Sequence, residues 1–350
     1  MPRLPIQLAL AIVGVGASIL PLAPRAQRRA EGPVPQFRVA PGWPKPLPNR
    51  WLMGQAAGVA VDAQDHVWVI QRPRCCVPAP PVLEFDPAGN LLQAWGGPGQ
   101  GYDWPAMEHG IFVDYQSHVW IGGNGETDHQ LLKFTRDGKL LLQIGQKGVT
   151  GGDGDTAHLG RPASVAVDPA TNELFVADGY TNHRVIVFDA QTGAYKRHWG
   201  ANGRPPGDAR VKPFGNPVHC VRLARDGLLY VCDRHNNRIQ VFRRDGTFLK
   251  EFAVAPATRG NGSVWDVDVS HDAPQTWLYT ADGENDHVWT LLRESGRVLT
   301  NFGAPGRQPG QFHWVHNLAV DSRGNIYTAE VDRGKRVQKF VFGGTFPVQE

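Results

Sequence analysis

SVAVDPATNELFVADGYTNHRVIVFDAQTGAYKRHWG, residues 164–200, decides the fold. It holds four short apolar stretches, Ser164–Asp168, Leu174–Asp178, Arg184–Asp189 and Tyr195–Gly200, joined by turns rich in Asn, Asp, Gly and Pro. Apolar and polar residues alternate along each stretch, which is the period of a strand, and no helical spacing competes with it. The design returns downstream as Cys220–Ala224, Leu228–Asp233, Arg238–Phe242 and Phe248–Phe252. Across the chain the first stretch of each unit ends at Asp62, Asp114, Asp168, Ala224, Ser270 and Asp321, roughly fifty residues apart each time.

A four-stranded unit of this kind cannot bury both of its faces alone. Six in a ring can, because neighbours cover the faces and closure protects the edges, so the pattern predicts an all-β, six-bladed β-propeller. The last unit shows only three strands, Asn317–Asp321, Ile326–Glu330 and Val337–Phe342. Gln36–Ala40 is the expected donor of its outer strand. The propeller is therefore expected to run as one domain over residues 36–350.

The composition agrees. Hydrophobic residues at 41% and charged residues at 20% are globular values, and the high counts of Gly (41), Pro (28) and Trp (11) suit many strands joined by tight turns. A formal charge of +3 is too small and too scattered to argue for nucleic acid or an anionic membrane surface. Arg3 precedes an apolar run, Leu8 to Leu20, followed by small residues near Ala23 and Ala26. This predicts a signal peptide over residues 1–26, a Pro/Arg-rich tether over 27–35, and export to the periplasm or the cell exterior. The run is short for a membrane span, so an uncleaved anchor is the lesser alternative. A monomer is expected. Cys220 and Cys232 flank a turn and would face each other as a disulfide or as two half-buried thiols. The adjacent Cys75 and Cys76 receive no role.

Three histidines break the monotony of the repeat. His109, His219 and His316 each lie five residues before the anchor ending an inner strand, and only in every second unit. The matching positions of the other units hold Ala57, Ala163 and Trp265. Alternate members of a six-membered ring are about 120° apart, so the three imidazoles should converge on the axis. Three neutral imidazoles with an open position suit a catalytic zinc or similar divalent ion, iron included. Arg72, Tyr180 and Arg234 follow second strands and share the same rim, because hairpins are antiparallel. A guanidinium fork suits a carboxylate, and a phenol beside a divalent ion can act as a general base. Each arginine, taken alone, could equally pair with a neighbouring aspartate. His235 and His313 lie near enough in sequence to support the site from behind.

Two motifs, Asp178-Gly179-Tyr180-Thr181-Asn182-His183-Arg184 and Asp233-Arg234-His235-Asn236-Asn237-Arg238, resemble NHL repeats. Blade for blade, the chain from about residue 54 to 342 resembles peptidyl-α-hydroxyglycine α-amidating lyase. That resemblance implies a carbon–nitrogen lyase that cleaves a carbinolamide to an amide and glyoxylate, acting on a small molecule or a peptide C-terminus. It implies zinc on His109, His219 and His316, with Tyr180, Arg72 and Arg234 as catalytic residues. It also implies a structural calcium at Val59, Ile111 and Asn317, where asparagine replaces the family's aspartate. Thr181 stands where animal members carry a cysteine. Two rival readings are a propeller hydrolase or lactonase, and a non-catalytic NHL propeller binding a protein, peptide or glycan through exposed aromatics such as Trp51, Trp104 and Trp314.

Overall fold

In three of the six blades one aspartate builds the turn that follows the first strand. In the computed structural model, which describes Pro2 and residues 33–74 and 77–346, Asp62 Oδ1 accepts the amides of Gln64 and His66 while Oδ2 accepts the Trp68 indole. Asp114 does the same for Gln116, His118 and Trp120, and Asp321 for Arg323, Asn325 and the Tyr327 hydroxyl. An aspartate that caps its own turn and grips an aromatic six residues on explains why Val-Asp recurs at the end of the first strand. The expected signal peptide, most of the tether, and Cys75 and Cys76 lie outside the described residues.

Among the described residues twenty-four strands form six separate four-stranded antiparallel sheets. The inner strands are Gln55–Val61, Glu108–Val113, Pro162–Val167, Val218–Leu223, Asp266–Val269 and Val315–Val320. Each touches the next, and the sixth touches the first, so the ring is closed. The sixth sheet takes its outer strand from the other end of the described chain: Val34–Val39 pairs antiparallel with Arg336–Phe346, Phe37 opposite Phe342. That strand starts two residues before the expected Gln36.

The core is not one cluster but six, one at each blade interface. Trp68 and Ile70 of blade one meet Ile121 and Phe134 of blade two; Tyr327 and Ala329 of blade six meet Val59 and Val69 of blade one. Each sheet is thus apolar on both faces, as the near-continuous burial of its middle strands shows. Cys220 and Cys232 are opposite one another and joined by a disulfide, with Cα atoms 4.8 Å apart. It ties the strand carrying His219 to the strand that leads into Arg234. Among the described residues no helix is long and apolar enough to cross a membrane.

Candidate metal centre and its rim

The histidines converge because their strands are bulged where they sit. In blade four the register shifts between Val218 and Cys220, leaving His219 unpaired, and in blade six between Val315 and Asn317, leaving His316 unpaired. The shift between Glu108 and Ile111 spans His109, and the shifts in blades one and three fall on Ala57 and Ala163. A bulge re-aims the side chain of the extra residue, here into the axial channel. Gly110, next to His109, is a consequence: a Cβ there would lie 2.3 Å from the Ala163 carbonyl oxygen.

That carbonyl has a use. His109 Nδ1 donates to Ala163 O at 2.8 Å, His219 Nδ1 to Trp265 O, and His316 Nδ1 to Ala57 O at 2.7 Å. Each acceptor is the residue at the matching position of the next blade. Carbonyls only accept, so the protons sit on Nδ1 and the Nε2 lone pairs face inward. The three ring centroids are 4.7 to 4.9 Å apart, and one nitrogen from each ring lies within 4.8 Å of the others.

Burial holds all three rings neutral. Desolvation, helped by Arg72, Arg234 and the other rings, drives the pKa of His109 and His219 well below the ordinary value and that of His316 down to about 3. Three inward lone pairs therefore meet, and the Tyr180 hydroxyl, 2.8 Å from His109 Nε2 and 3.0 Å from His219 Nε2, brings a single proton between them. His316 Nε2 has no hydrogen-bond partner among the described residues. A donor set this rich in lone pairs and short of protons fits a divalent cation.

The depressed values make a pH prediction. In the unfolded chain the three imidazoles take up protons near pH 6.5, whereas in the fold they do so only far lower. Their contribution to stability is complete above about pH 6.5 and is lost as pH falls toward the folded values. Thermal melts of the metal-free protein should therefore lose stability below pH 6.5, with a slope approaching about 4 kcal/mol per pH unit where all three titrate. His316→Phe should shallow that slope; an unchanged slope would contradict the assignment.

The rim residues are held by a second repeated device. Asp178 Oδ2 accepts Asn182 Nδ2 and Arg184 Nε, while Oδ1 accepts the Gly160 amide, all buried. Asp233 does the same with Asn236, Arg238 and Gly215. These knots pin the loops that present Tyr180 and Arg234. Gly179 lets the first of them approach blade four, since a Cβ there would lie 2.1 Å from Val218 O.

Arg234 packs its guanidinium over Trp265 at 4.5 Å and over Tyr180 at 5.9 Å, with Nη1 3.5 Å from the Tyr180 hydroxyl and Nε without a partner. Arg72, its pKa lowered by burial, donates to Glu108 O, Gln55 Oε1 and Asn124 Oδ1. Neither arginine forms an ion pair among the described residues. All six expected residues thus share one rim.

Three more belong there. Arg161 lies over the Tyr180 ring at 5.6 Å, Asn124 links it to Arg72, and Trp265 touches His219, His316 and Trp314. Trp265 was visible in the sequence only as a position without histidine; Arg161 carried no periodic signal at all. His313 stacks on Trp314 and bonds Asp332, outside the centre, and His235 is exposed beside Arg234.

On the axis, Asn317 is already engaged. Its Oδ1 accepts the Val59 amide at 2.6 Å and its Nδ2 donates to Asp266, a buried carboxyl whose pKa desolvation raises to about 7. Ile111 packs among the apolar residues between blades one and two. The asparagine oxygen expected to face calcium is spent on a backbone amide.

The NHL repeat family matches residues 159–188 and 218–242. Similarity to known proteins extends further. The chain is 30% identical to Peptidyl-alpha-hydroxyglycine alpha-amidating lyase 1 of Drosophila melanogaster over 74% of its own length and 48% of that protein's. It is 29% identical to NHL repeat-containing protein 3 of Mus musculus, over 88% of this chain and 84% of the relative. Against Peptidylglycine alpha-amidating monooxygenase of Rattus norvegicus it is 27% identical over 80% of its length, and spans 30% of that longer protein. A streptogramin B lyase structure superposes with a TM-score of 0.55 at 12% identity, over 88% of this chain and 98% of that one, which speaks for the fold alone.

Proposed function

We propose that this chain, an NHL-repeat six-bladed β-propeller related to the peptidylglycine amidating enzymes, is a metal-dependent lyase for α-hydroxyglycine-type carbinolamides. The observation that carries the reading is the convergence of three neutral imidazoles beside a tyrosine hydroxyl and arginines that form no ion pair among the described residues. His109, His219 and His316 would hold zinc, or iron. When bound, such an ion supplies Lewis acidity at the substrate hydroxyl.

The rest is done by the chain's own groups. Arg72 and Arg234 hold the substrate carboxylate and oppose the charge that develops beside it. Reacting as the phenolate, Tyr180 Oη takes the hydroxyl proton. The oxygen electrons close to a carbonyl, the carbon–nitrogen bond breaks with its pair on nitrogen, and nitrogen receives the proton. The products are an amide and glyoxylate, with no net oxidation. Trp265 packs against the His219 and His316 rings and covers that side of the imidazole cluster.

The purified protein should release glyoxylate from α-hydroxyhippurate, and a strong chelator should lower the rate at least about 100-fold, with recovery on adding zinc. No glyoxylate from the metal-replete protein would refute the reading. The near-full-length similarity to NHL repeat-containing protein 3 supports a second, non-catalytic reading, a binding propeller. The same assay separates the two. Calcium is not part of the proposal, because Asn317 bonds within the protein.

A further inference from the structure

We propose that Arg161 is a further substrate-binding residue, and that the site accepts a substrate bearing a second carboxylate on the acyl side of the bond that breaks. This deepens, and rests on, the lyase reading above.

Arg161 stands at the mouth of blade three, immediately before its inner strand, with φ of +63°. An arginine in the left-handed region costs about 1 kcal/mol, and such strain gathers where a side chain must point a particular way. Here it directs the guanidinium over the Tyr180 ring. Nε donates to the Asn124 carbonyl at 2.9 Å and Nη2 to the same oxygen. Asn124 also accepts Arg72 Nη2 on its side chain at 3.2 Å. One asparagine therefore holds two guanidinium groups side by side, and Arg161 Nη1 has no protein partner among the described residues.

The charge balance favours an anionic ligand. Other buried or half-buried arginines of the propeller are paired: Arg184 with Asp178, Arg197 with Glu173, Arg238 with Asp233, Arg336 with Glu330. Among the described residues Arg72, Arg161 and Arg234 make no ion pair. The nearby carboxylates are turned elsewhere, Glu108 to the Trp104 indole at 2.8 Å and Asp128 to the amides of Ala106, Met107 and Gly125. Three like charges crowded around neutral rings favour the arrival of anions among them. One carboxylate can be shared by two guanidinium groups but leaves the third without a counter-charge. Arg72 and Arg234 take the carboxylate that becomes glyoxylate, and Arg161 faces the other.

The test compares N-succinyl-α-hydroxyglycine with N-butyryl-α-hydroxyglycine, which match in acyl chain length and differ in one carboxylate. The wild-type protein should prefer the succinyl compound about 10-fold or more in kcat/KM, the value of one charge-assisted contact. Arg161→Gln should bring that ratio close to one, mainly through the KM of the succinyl substrate, and Arg161→Lys should keep part of it. Melting temperature and metal content confirm that each variant is folded; if the glutamine variant is not, the lysine variant carries the comparison. Calorimetric binding of the unreactive N-succinylglycine and N-butyrylglycine reads the same preference without turnover. If neither hydroxylated compound yields glyoxylate while the binding preference and its loss in Arg161→Gln persist, the lyase reading fails and the Arg161 assignment stands. A wild-type ratio near one, or a preference unchanged in Arg161→Gln, overturns the assignment.

Discussion

His219→Ala is expected to empty the protein of tightly held metal and to stop glyoxylate release, a loss of at least about 1,000-fold in kcat/KM, or about 4 kcal/mol of transition-state stabilisation. Two imidazoles cannot hold a divalent ion as three do, and His219 also lies 3.0 Å from the Tyr180 hydroxyl. The fold should survive. The substitution trims a side chain and leaves the backbone ladder of the strand intact. What is lost besides the ion is the Nδ1 bond to Trp265 O and some packing against the Trp265 ring, together about 1 to 3 kcal/mol. Circular dichroism and metal analysis on the purified variant make the check. Stoichiometric metal together with wild-type turnover would end the proposal that the three rings form a metal centre.

Tyr180→Phe removes one oxygen and little else. The ring remains beneath Arg161 and Arg234, and the Asp178 knot that holds the loop is untouched. Metal content should stay at the wild-type level. A proton acceptor lost from the reacting hydroxyl costs about 100- to 10,000-fold, and the fall should appear in kcat with KM nearly unchanged. The contrast with His219→Ala is the useful part: one variant loses metal and activity together, the other loses activity alone. If Tyr180→Phe retained kcat within tenfold, another group would have to take the proton.

The repeat legible in residues 164–200 reached the correct architecture because propeller blades are built from local rules. Alternation sets the strands, and an aspartate such as Asp62 or Asp114 writes its own turn and binds an aromatic six residues later. The alternate-blade phase of His109, His219 and His316 was equally readable, since a repeat protein keeps position in sequence proportional to position around the ring. Arg161 and Asn124 obeyed no such rule. Their partnership with Arg72 and Tyr180 crosses between blades one, two and three, at a loop and a strained turn where the repeat is silent. The state of Cys220 and Cys232 also waited on register: only the pairing of their two strands places them opposite each other.

By itself the sequence determined six four-stranded units and the angular order of three imidazoles, because both follow from hydrogen bonding and side-chain alternation within one unit. Which way those imidazoles point was decided by the bulges at His109, His219 and His316 and by carbonyls on the next blade. The gathering above the rings of three arginines that make no ion pair among the described residues was likewise settled only in three dimensions. The physical reason is that each depends on a contact between blades, and a unit read along the chain carries no record of what its neighbour will present to it.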